Sequence, residues 1–233
     1  MMALKFEEPR GLTSVGDNVR HAAAYVCWVI AKAFEPRFIE PYRDTLAENL
    51  LAVACFDREA LCRRAAVLAL QQFVERAVNI PHGVEITTAA NFHSVGSCSN
   101  AYLSVSMEIA QYKEYTESLI KHLLRNKVDY WDCNIRILTA KALHKLASRA
   151  PEYMASDVLT ELFALIVNDD PKAIHGAVLA IGELVWALSS ISQNLLEPYL
   201  ERIENLVGQL KERNLMKGAL GDIIKTVLCS FIA

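Results

Sequence analysis

Apolar residues recur along most of the chain at the three-to-four-residue spacing of amphipathic helices. Long amphipathic stretches alternate with shorter ones, and each shorter stretch begins with a basic residue followed by small residues. Proline stands near the start of several long stretches, and it suits a first helical turn because its missing N–H has no partner there. The pattern therefore predicts helices in pairs joined by short turns. The long stretches are residues 38–56, 114–128, 152–167 and 196–213.

The shorter helices share an opening in which a basic residue follows an apolar one and precedes small residues. The spacings between these basic residues are 43, 73, 39 and 42. Because 73 is close to twice the other intervals, we expect a degenerate copy near Asn100, where "NAYLSVSMEIAQY" stands. A two-helix repeat of this period is typical of HEAT and armadillo arrays. The basic residues are Arg20, Arg63, Arg136, His175 and Lys217.

The repeat predicts an all-α, right-handed solenoid of about five to six helix pairs without a sheet. We expect a poorly ordered tail over residues 1–14 and a single solenoid over residues 15–233, interrupted by a non-repeat loop at 79–99. The sequence closes on the apolar run "IIKTVLCSFIA" and shows no polar capping helix. Since the ends of a solenoid need a polar outer face, we interpret the chain as an interior piece of a longer array.

An aspartate precedes the basic residue in four of the repeats, and aspartate is a good helix N-cap. In HEAT arrays such an aspartate and an arginine on the second helix commonly form a ladder along the inner edge. The alternative is a helix cap beside an unrelated surface arginine. The ladder interpretation involves Asp17, Arg20, Asp57, Arg63, Asp132 and Arg136.

Charge and composition exclude several classes of function. The formal net charge of −3 provides no basic excess for nucleic-acid binding. The longest uncharged run, residues 86–107, contains five serines and two asparagines, so no membrane span is expected. The N-terminus lacks the apolar core of a signal peptide. The six cysteines form no CxxC pair, and in such a chain we expect reduced, buried thiols and a cytoplasmic location.

The stretch "NIPHGVEITTAANFHSVGSCSN" interrupts the helical texture and contains one charged residue, Glu85. We expect an ordered loop with one short helix capped by Thr87 or Thr88. Three apolar residues, Ile80, Ile86 and Phe92, should pack onto neighbouring helices. The loop either covers an apolar seam or projects as a partner-contact element. The contact interpretation involves Pro81, His82, Gly83, Phe92 and His93, with Pro81–Gly83 as an exposed elbow.

Motifs for catalysis are missing from the sequence: there is no P-loop, dinucleotide-binding, HExxH or GxSxG pattern. His82, His93 and Cys98 share the loop, but their spacing fits no standard zinc site. We therefore expect no enzyme activity, cofactor or metal.

A basic stretch follows the loop along the chain. Lys121 and Arg125 would either meet an acidic partner or complement a helix C-terminus. Beside them in the sequence, Trp131 would either anchor a partner or pack between repeats.

Five segments of the chain resemble the middle region of the tubulin-specific chaperone D (tubulin-folding cofactor D) family. The resemblance runs from about Val15 to about Trp186 and is much weaker after Ser189; the chain departs from the family at Cys98-Ser99. The segments are "VGDNVRHAAAYVCWVIAKAFEP" (15–36), "FDREALCRRAA" (56–66), "IPHGVEITTAANFHSVGSCSNAYL" (80–103), "EYTESLIKHLL" (114–124) and "WDCNIRILTAKALHKLASRAPEY" (131–153).

The resemblance implies a segment of a very large, non-enzymatic HEAT/armadillo scaffold. Such a scaffold captures β-tubulin, joins α-tubulin through folding cofactors E and C, and works with an Arf-like small GTPase in making or dissociating the αβ-tubulin dimer. With cofactors C and E it also forms a GTPase-activating assembly on tubulin. A cytoplasmic, cytoskeleton-associated location and a subset of these partners are expected for this short chain. The alternative is a HEAT-repeat adaptor or transport scaffold unrelated to tubulin.

Overall fold

The computed structural model describes residues 1–11, 13–213, 215 and 225, and most of these are helical. The chain divides into two compact units, residues 1–122 and 123–233. The repeat copy at Lys217 and the apolar run at 223–233 lie outside the described residues, apart from Lys225.

The first unit begins with a short hairpin and continues as packed helices. Its elements are a 3-10 helix (Met2–Lys5), β1 (Glu8–Arg10), β2 (Thr13–Val15), α1 (Asp17–Ala33), α2 (Pro36–Ile39), a 3-10 turn (Glu40–Tyr42), α3 (Arg43–Phe56), α4 (Ala60–Glu75), α5 (Gly83–Ala89), α6 (Cys98–Asn100), a π-helical segment (Ala101–Val105), α7 (Ser106–Ile109) and α8 (Lys113–Asn126), within which the boundary between the units falls.

The antiparallel pairing of β1 with β2 departs from the expectation of helices alone. The hairpin and the 3-10 helix also occupy the segment expected as a poorly ordered tail. Leu4 is buried there, and the backbone oxygen of Phe6 accepts a hydrogen bond of 3.0 Å from Arg20 Nη1. These two contacts therefore hold this segment against the first repeat. Neither contact has a local signal in the sequence, which is why the segment was expected to be poorly ordered.

Helix α3 forms the centre of the first unit. From Leu50 to Phe56 every residue is buried, because "LLAVACF" is apolar on all sides and leaves no polar face for solvent. Both α3 and α1 pack against α4. The expected degenerate copy near Asn100 is confirmed as a continuous helical segment over residues 98–109, in which the Tyr102 hydroxyl donates to the Phe56 carbonyl at 2.8 Å.

The second unit repeats the alternation of long helices and turns. Its elements are α9 (Cys133–Leu146), α10 (Pro151–Tyr153), a π-helical segment (Met154–Val158), α11 (Leu159–Ile166), α12 (Pro171–Ile191), 3-10 turns (Gln193–Leu195 and Glu197–Tyr199) and α13 (Leu200–Glu212). Helix α12 packs against both α9 and α11.

The turn chemistry predicted for the second unit is confirmed at two aspartates. Asp132 and Asp170 accept hydrogen bonds from the backbone N–H groups of Asn134 and Lys172, each at 2.9 Å, and so cap α9 and α12. Gly176 lies so close to the backbone oxygen of Val128 that a Cβ there would overlap it. The small residues after the basic position thus allow close approach of backbones in this repeat.

The all-α solenoid architecture is confirmed. In chain order, the described helices form four successions of a first and a second helix, with α1 before them and α13 after them. By length and composition alone α12 would suffice to cross a membrane, but 56% of its apolar window is buried inside the structure, as in the core helix of a soluble protein.

Candidate partner-contact loop

The 79–99 segment, hereafter the contact loop, leaves α4 through a sharply turned backbone. Ala77 and His82 have positive φ angles of 58° and 53°. Between them Ile80 is buried, as expected from the sequence. At Gly83 a Cβ would lie 2.7 Å from Val74 Cγ2, so the absence of a side chain lets α5 begin directly against α4. The loop is therefore packed onto the scaffold from its first residues.

The elbow at Pro81–Gly83 is less exposed than predicted. The Tyr115 hydroxyl donates to the Pro81 carbonyl at 2.8 Å, and Gly83 is buried. The ring of His82 stacks on Tyr112 with centroids 4.0 Å apart, and His82 Nε2 lies 3.7 Å from a Glu114 carboxylate oxygen. His82 alone of the three presents an exposed side chain, because the neighbouring backbone serves as an acceptor and as a packing surface.

The short helix expected in the loop is present as α5, but the predicted cap is wrong. His82 is the N-cap residue, and both threonines lie inside the helix. Their hydroxyls donate back to carbonyls four residues earlier, Thr87 to Gly83 at 2.8 Å and Thr88 to Val84 at 2.7 Å. A threonine that finds such an acceptor in the preceding turn is tolerated within a helix.

The second half of the loop satisfies its own polar groups. Asn91 Oδ1 accepts hydrogen bonds from the backbone N–H groups of His93 and Ser94, each at 3.0 Å. Ser94 Oγ donates to the Ala89 carbonyl at 2.7 Å, and the Asn100 amide donates to the Ser94 carbonyl at 2.8 Å. These short polar side chains replace helical hydrogen bonding, which explains an ordered segment with a single charge.

Arg63 fastens the contact loop to α4. Its side chain is almost completely buried, with 2% exposed. Nε donates to the Val95 carbonyl at 2.6 Å and Nη2 to the Gly96 carbonyl at 2.8 Å. Nη1 donates to the carbonyls of Asp57 and Arg58 at 2.9 and 2.7 Å. One guanidinium thus joins the α3–α4 turn to the far end of the loop.

The next residue, Arg64, faces outward and was not singled out by the sequence analysis. Its guanidinium carbon lies 4.3 Å from the centre of the Phe92 ring, and Nε donates to the Phe92 carbonyl at 3.3 Å. Phe92 thus packs against α4 as expected, but 42% of it stays exposed, whereas Val95 is fully buried. His93 is exposed beside it, with ring centroids 5.7 Å apart. Adjacent residues of a helix point about 100° apart, so when Arg63 is buried its neighbour Arg64 must point towards the surface. The pair of adjacent arginines in the sequence was therefore a signal that could have identified Arg64.

The predicted aspartate–arginine ladder is realised at Arg20 and Asp57, which form an ion pair at 2.6 Å with both side chains buried. Burial alone would lower the pKa of Arg20, but the hydrogen bond to Asp57 and the charge of Asp57 raise it above its ordinary value. Asp17, in contrast, is exposed at the start of α1, and Asp132 serves as a helix cap. The ladder does not extend in this form to Arg63 and Arg136.

Arg136 repeats the geometry of Arg63. Its Nη1 donates to the carbonyls of Tyr130 and Trp131, at 2.5 and 3.1 Å, which lie six and five residues earlier. Its Nε donates to His175 Nδ1 at 3.0 Å in the next repeat. Burial, followed by the positive charge of Arg136, lowers the pKa of His175 to about 4, so this histidine is a neutral acceptor at neutral pH. Backbone carbonyls and a histidine replace the expected aspartates.

The remaining predicted contact residues lie elsewhere. Lys121 forms an ion pair of 3.0 Å with Glu117 in α8, and Arg125 is exposed in the same helix. Trp131 is half-buried, with its ring 5.6 Å from that of Tyr130. Along the chain these residues thus lie outside the contact loop, on α8 and just before α9.

Groups that would bind a metal ion do not assemble in the described part of the chain. No three histidine, cysteine, aspartate or glutamate side chains there are placed to hold a metal ion. Burial raises the pKa of the thiols of Cys27 and Cys55, and that of Cys62 to about 12, which makes each of them a poor nucleophile at neutral pH.

Comparisons with known proteins confirm the resemblance. A family model described as "Tubulin-specific chaperone D-like, ARM repeats" matches residues 1–84. The chain is 34% identical over 238 residues to tubulin-specific chaperone D of Dictyostelium discoideum, covering 99% of this chain and 16% of that protein. It is 26% identical over 191 residues to tubulin-folding cofactor D of Schizosaccharomyces pombe, covering 82% of this chain and 17% of that protein. The chain thus spans about a sixth of these relatives. No solved structure matches it.

Proposed function

Because the chain is related along almost its whole length to tubulin-specific chaperone D, we propose that it is a non-enzymatic, protein-binding scaffold of a tubulin-folding cofactor. In this role it contributes to the capture of β-tubulin in the cytoplasm. It also takes part in assembling and dissociating the αβ-tubulin dimer, together with cofactors E and C and an Arf-like small GTPase. The observation that carries the proposal is the similarity over 99% of the chain, joined to a helical-repeat structure.

We assign the partner contact to the contact loop, because binding residues concentrate on loops that a rigid scaffold holds in place. Arg63 and Tyr115 hold its two ends. Between these anchors Val84, His82 and Phe92 are exposed, and 67% of Val84 is accessible. A rigid loop with exposed apolar side chains loses little conformational entropy on binding.

The test is a set of separate binding experiments with the purified chain against β-tubulin, cofactor E and the small GTPase. The loop variant combines His82→Ser, Val84→Ser and Phe92→Ser, which change exposed side chains and leave both anchors in place. The control is Val167→Ser, which removes a comparably exposed valine from the second unit, with 74% of it accessible. We expect the loop variant to bind at least one partner about tenfold more weakly while it keeps the helical circular dichroism spectrum of the parent.

Two outcomes contradict the proposal at different levels. If the loop variant binds every partner as the parent does, the loop merely covers a seam in the repeat. If the parent chain itself binds none of the three, the scaffold role fails for this segment.

A further inference from the structure

Arg64 is held in place without an acidic partner. Among the residues that the structure describes, no carboxylate lies within ion-pair distance of its guanidinium, and its two Nη groups make no hydrogen bond. Several other surface arginines of the first unit differ in this respect: Arg10, Arg37, Arg43 and Arg58 each pair with a nearby carboxylate. The two Nη groups of the planar guanidinium thus remain available as hydrogen-bond donors at the surface.

The position of this guanidinium is fixed before any partner arrives. The Phe92 ring lies 4.3 Å beneath it, and the Phe92 carbonyl accepts its Nε–H. Phe92 in turn belongs to the segment that Arg63 fastens through the Val95 and Gly96 carbonyls. Because the arginine is already ordered, a partner loses little side-chain entropy in using it.

Large exposed apolar side chains lie on the same face as Arg64. Leu61 and Leu68 lie three residues before it and four after it, and therefore on the same face of α4. They are 67% and 44% exposed, and Phe92 adds a half-exposed ring. A single cation with free donors, surrounded by large apolar side chains, defines a small surface of mixed character.

We propose that Arg64, Phe92, Leu61 and Leu68 form a docking surface for an acidic peptide segment in which a carboxylate neighbours a large apolar side chain. The guanidinium fork accommodates a carboxylate through two parallel hydrogen bonds. The leucines and the phenylalanine cover the apolar neighbour. The inference deepens the proposed function, on which it rests, by assigning the chemistry of the partner segment that the contact loop receives.

Charge favours a peptide over a nucleic acid as the occupant. Binding to a phosphate backbone draws its affinity from several cations acting together. Here one arginine supplies the positive charge, in a chain of formal net charge −3. The apolar side chains near Arg64 also offer no hydrogen bonds to the hydrated phosphates of a nucleic acid, whereas they can pack against apolar side chains of a protein.

The experiment measures fluorescence anisotropy of a labelled synthetic peptide of alternating glutamate and phenylalanine, bound to the full chain. Arg64→Gln should weaken binding about tenfold, through loss of the charge-assisted pair. Arg64→Lys should recover only part of this affinity, because lysine lacks the fork. Arg76→Gln is the control: it removes an exposed cation at the end of α4 and should change binding less than about twofold.

A further variant tests orientation with the charge retained. A Cβ at Gly96 would lie 3.0 Å from Arg64 Nη2 and 3.1 Å from the His93 carbonyl oxygen, so Gly96→Ala should shift the guanidinium and weaken binding by about threefold. Gly96→Ala combined with Arg64→Gln should bind no more weakly than Arg64→Gln alone, which separates this shift from strain in the loop backbone. A peptide with glutamine in place of glutamate should bind at least about tenfold more weakly to the parent chain than the glutamate peptide.

Three results would overturn the inference: equal binding of the glutamine peptide, equal losses in Arg76→Gln and Arg64→Gln, or tighter Arg64-dependent binding of a single-stranded RNA oligonucleotide. These results are separable from a failure of the proposed function. Loop-dependent binding of β-tubulin without Arg64-dependent peptide binding overturns the docking chemistry alone. Arg64-dependent peptide binding without binding of any folding partner overturns the scaffold role alone.

Discussion

Replacing Arg63 by methionine tests whether a single guanidinium holds the contact loop. Methionine retains an unbranched apolar stem and removes all four hydrogen bonds to backbone carbonyls. The bonds to Val95 and Asp57 are fully buried, while those to Arg58 and Gly96 are partly accessible, so water replaces the second pair more easily. A buried acceptor left unsatisfied costs about 1–3 kcal/mol, so the two buried carbonyls predict a loss of about 2–6 kcal/mol in unfolding free energy.

The control for this prediction is Arg64→Met, which changes the neighbouring arginine by the same chemistry. Arg64 is half-exposed and donates one hydrogen bond of 3.3 Å, so we expect a loss of less than about 1 kcal/mol. Urea unfolding followed by circular dichroism measures both losses. Hydrogen exchange adds a local measurement, because amides of residues 94–96 should exchange faster in Arg63→Met before global unfolding.

A difference of less than about 0.5 kcal/mol between the two variants would refute the argument. The Val95 and Gly96 carbonyls would then find other partners without cost. The loop would owe its order to the asparagine turn and to packing, and the anchoring assigned to Arg63 would be wrong.

Three further predictions concern the second unit. Arg136→Ala should lower the unfolding free energy by more than the about 1 kcal/mol of a surface ion pair, and a urea-measured change within about 0.5 kcal/mol would show that its hydrogen bonds are dispensable. Gly176→Ala should lower the unfolding free energy by about 2 kcal/mol or more, because the added Cβ overlaps the Val128 carbonyl oxygen. The control Gly208→Ala has open space around it and should leave the unfolding free energy unchanged or raise it by about 0.5–1 kcal/mol. Equal melting temperatures of the two variants would contradict the packing argument. The pKa of His175 falls from 6.5 in the unfolded state to about 4 in the folded state, so between these pH values the unfolded state binds the extra proton. The contribution of His175 to the unfolding free energy is therefore full above pH 6.5 and declines down to pH 4, by at most about 1.4 kcal/mol per pH unit. The parent should lose stability over this range relative to His175→Asn, and parallel curves of stability against pH would refute the assignment.

The features that sequence reasoning predicted are those encoded within a few residues. Asp132 and Asp170 cap helices because a carboxylate and an N–H two residues later need only local geometry. The helical segment near Asn100 follows from the spacing of the other repeats, since each repeat must stack on its neighbours. Both inferences depend on periodicity and on turn chemistry, which a single sequence shows directly.

The arginine roles could not be predicted in the same way. Arg63 reaches carbonyls 32 and 33 residues away, and a backbone carbonyl has no signature in the sequence. An aspartate, in contrast, is visible, so the sequence favoured a ladder that the structure realises at Arg20 but not at Arg63. Phe92 was predicted to pack onto the neighbouring helices, and it does so only in part, since 42% of it is exposed. Val95, whose carbonyl accepts a hydrogen bond from Arg63, is the residue that is fully buried. The loop has no periodic pattern of apolar residues from which this could be inferred.

The break in the repeat and the exposed surface have one physical origin. In the second unit the first helix is complete over residues 151–166, and Arg136 donates its Nε–H to the side chain of His175 in the next repeat. In the first unit the corresponding helix is reduced to the seven residues of α5, so nonhelical carbonyls take the place of that acceptor and Arg63 donates to them. The chain that follows α5 is consequently held close to α4 but outside a helix, and Phe92 meets Arg64 at the surface. The shortening of α5 therefore places the carbonyls that Arg63 binds and the exposed arginine–phenylalanine pair in one nonhelical segment.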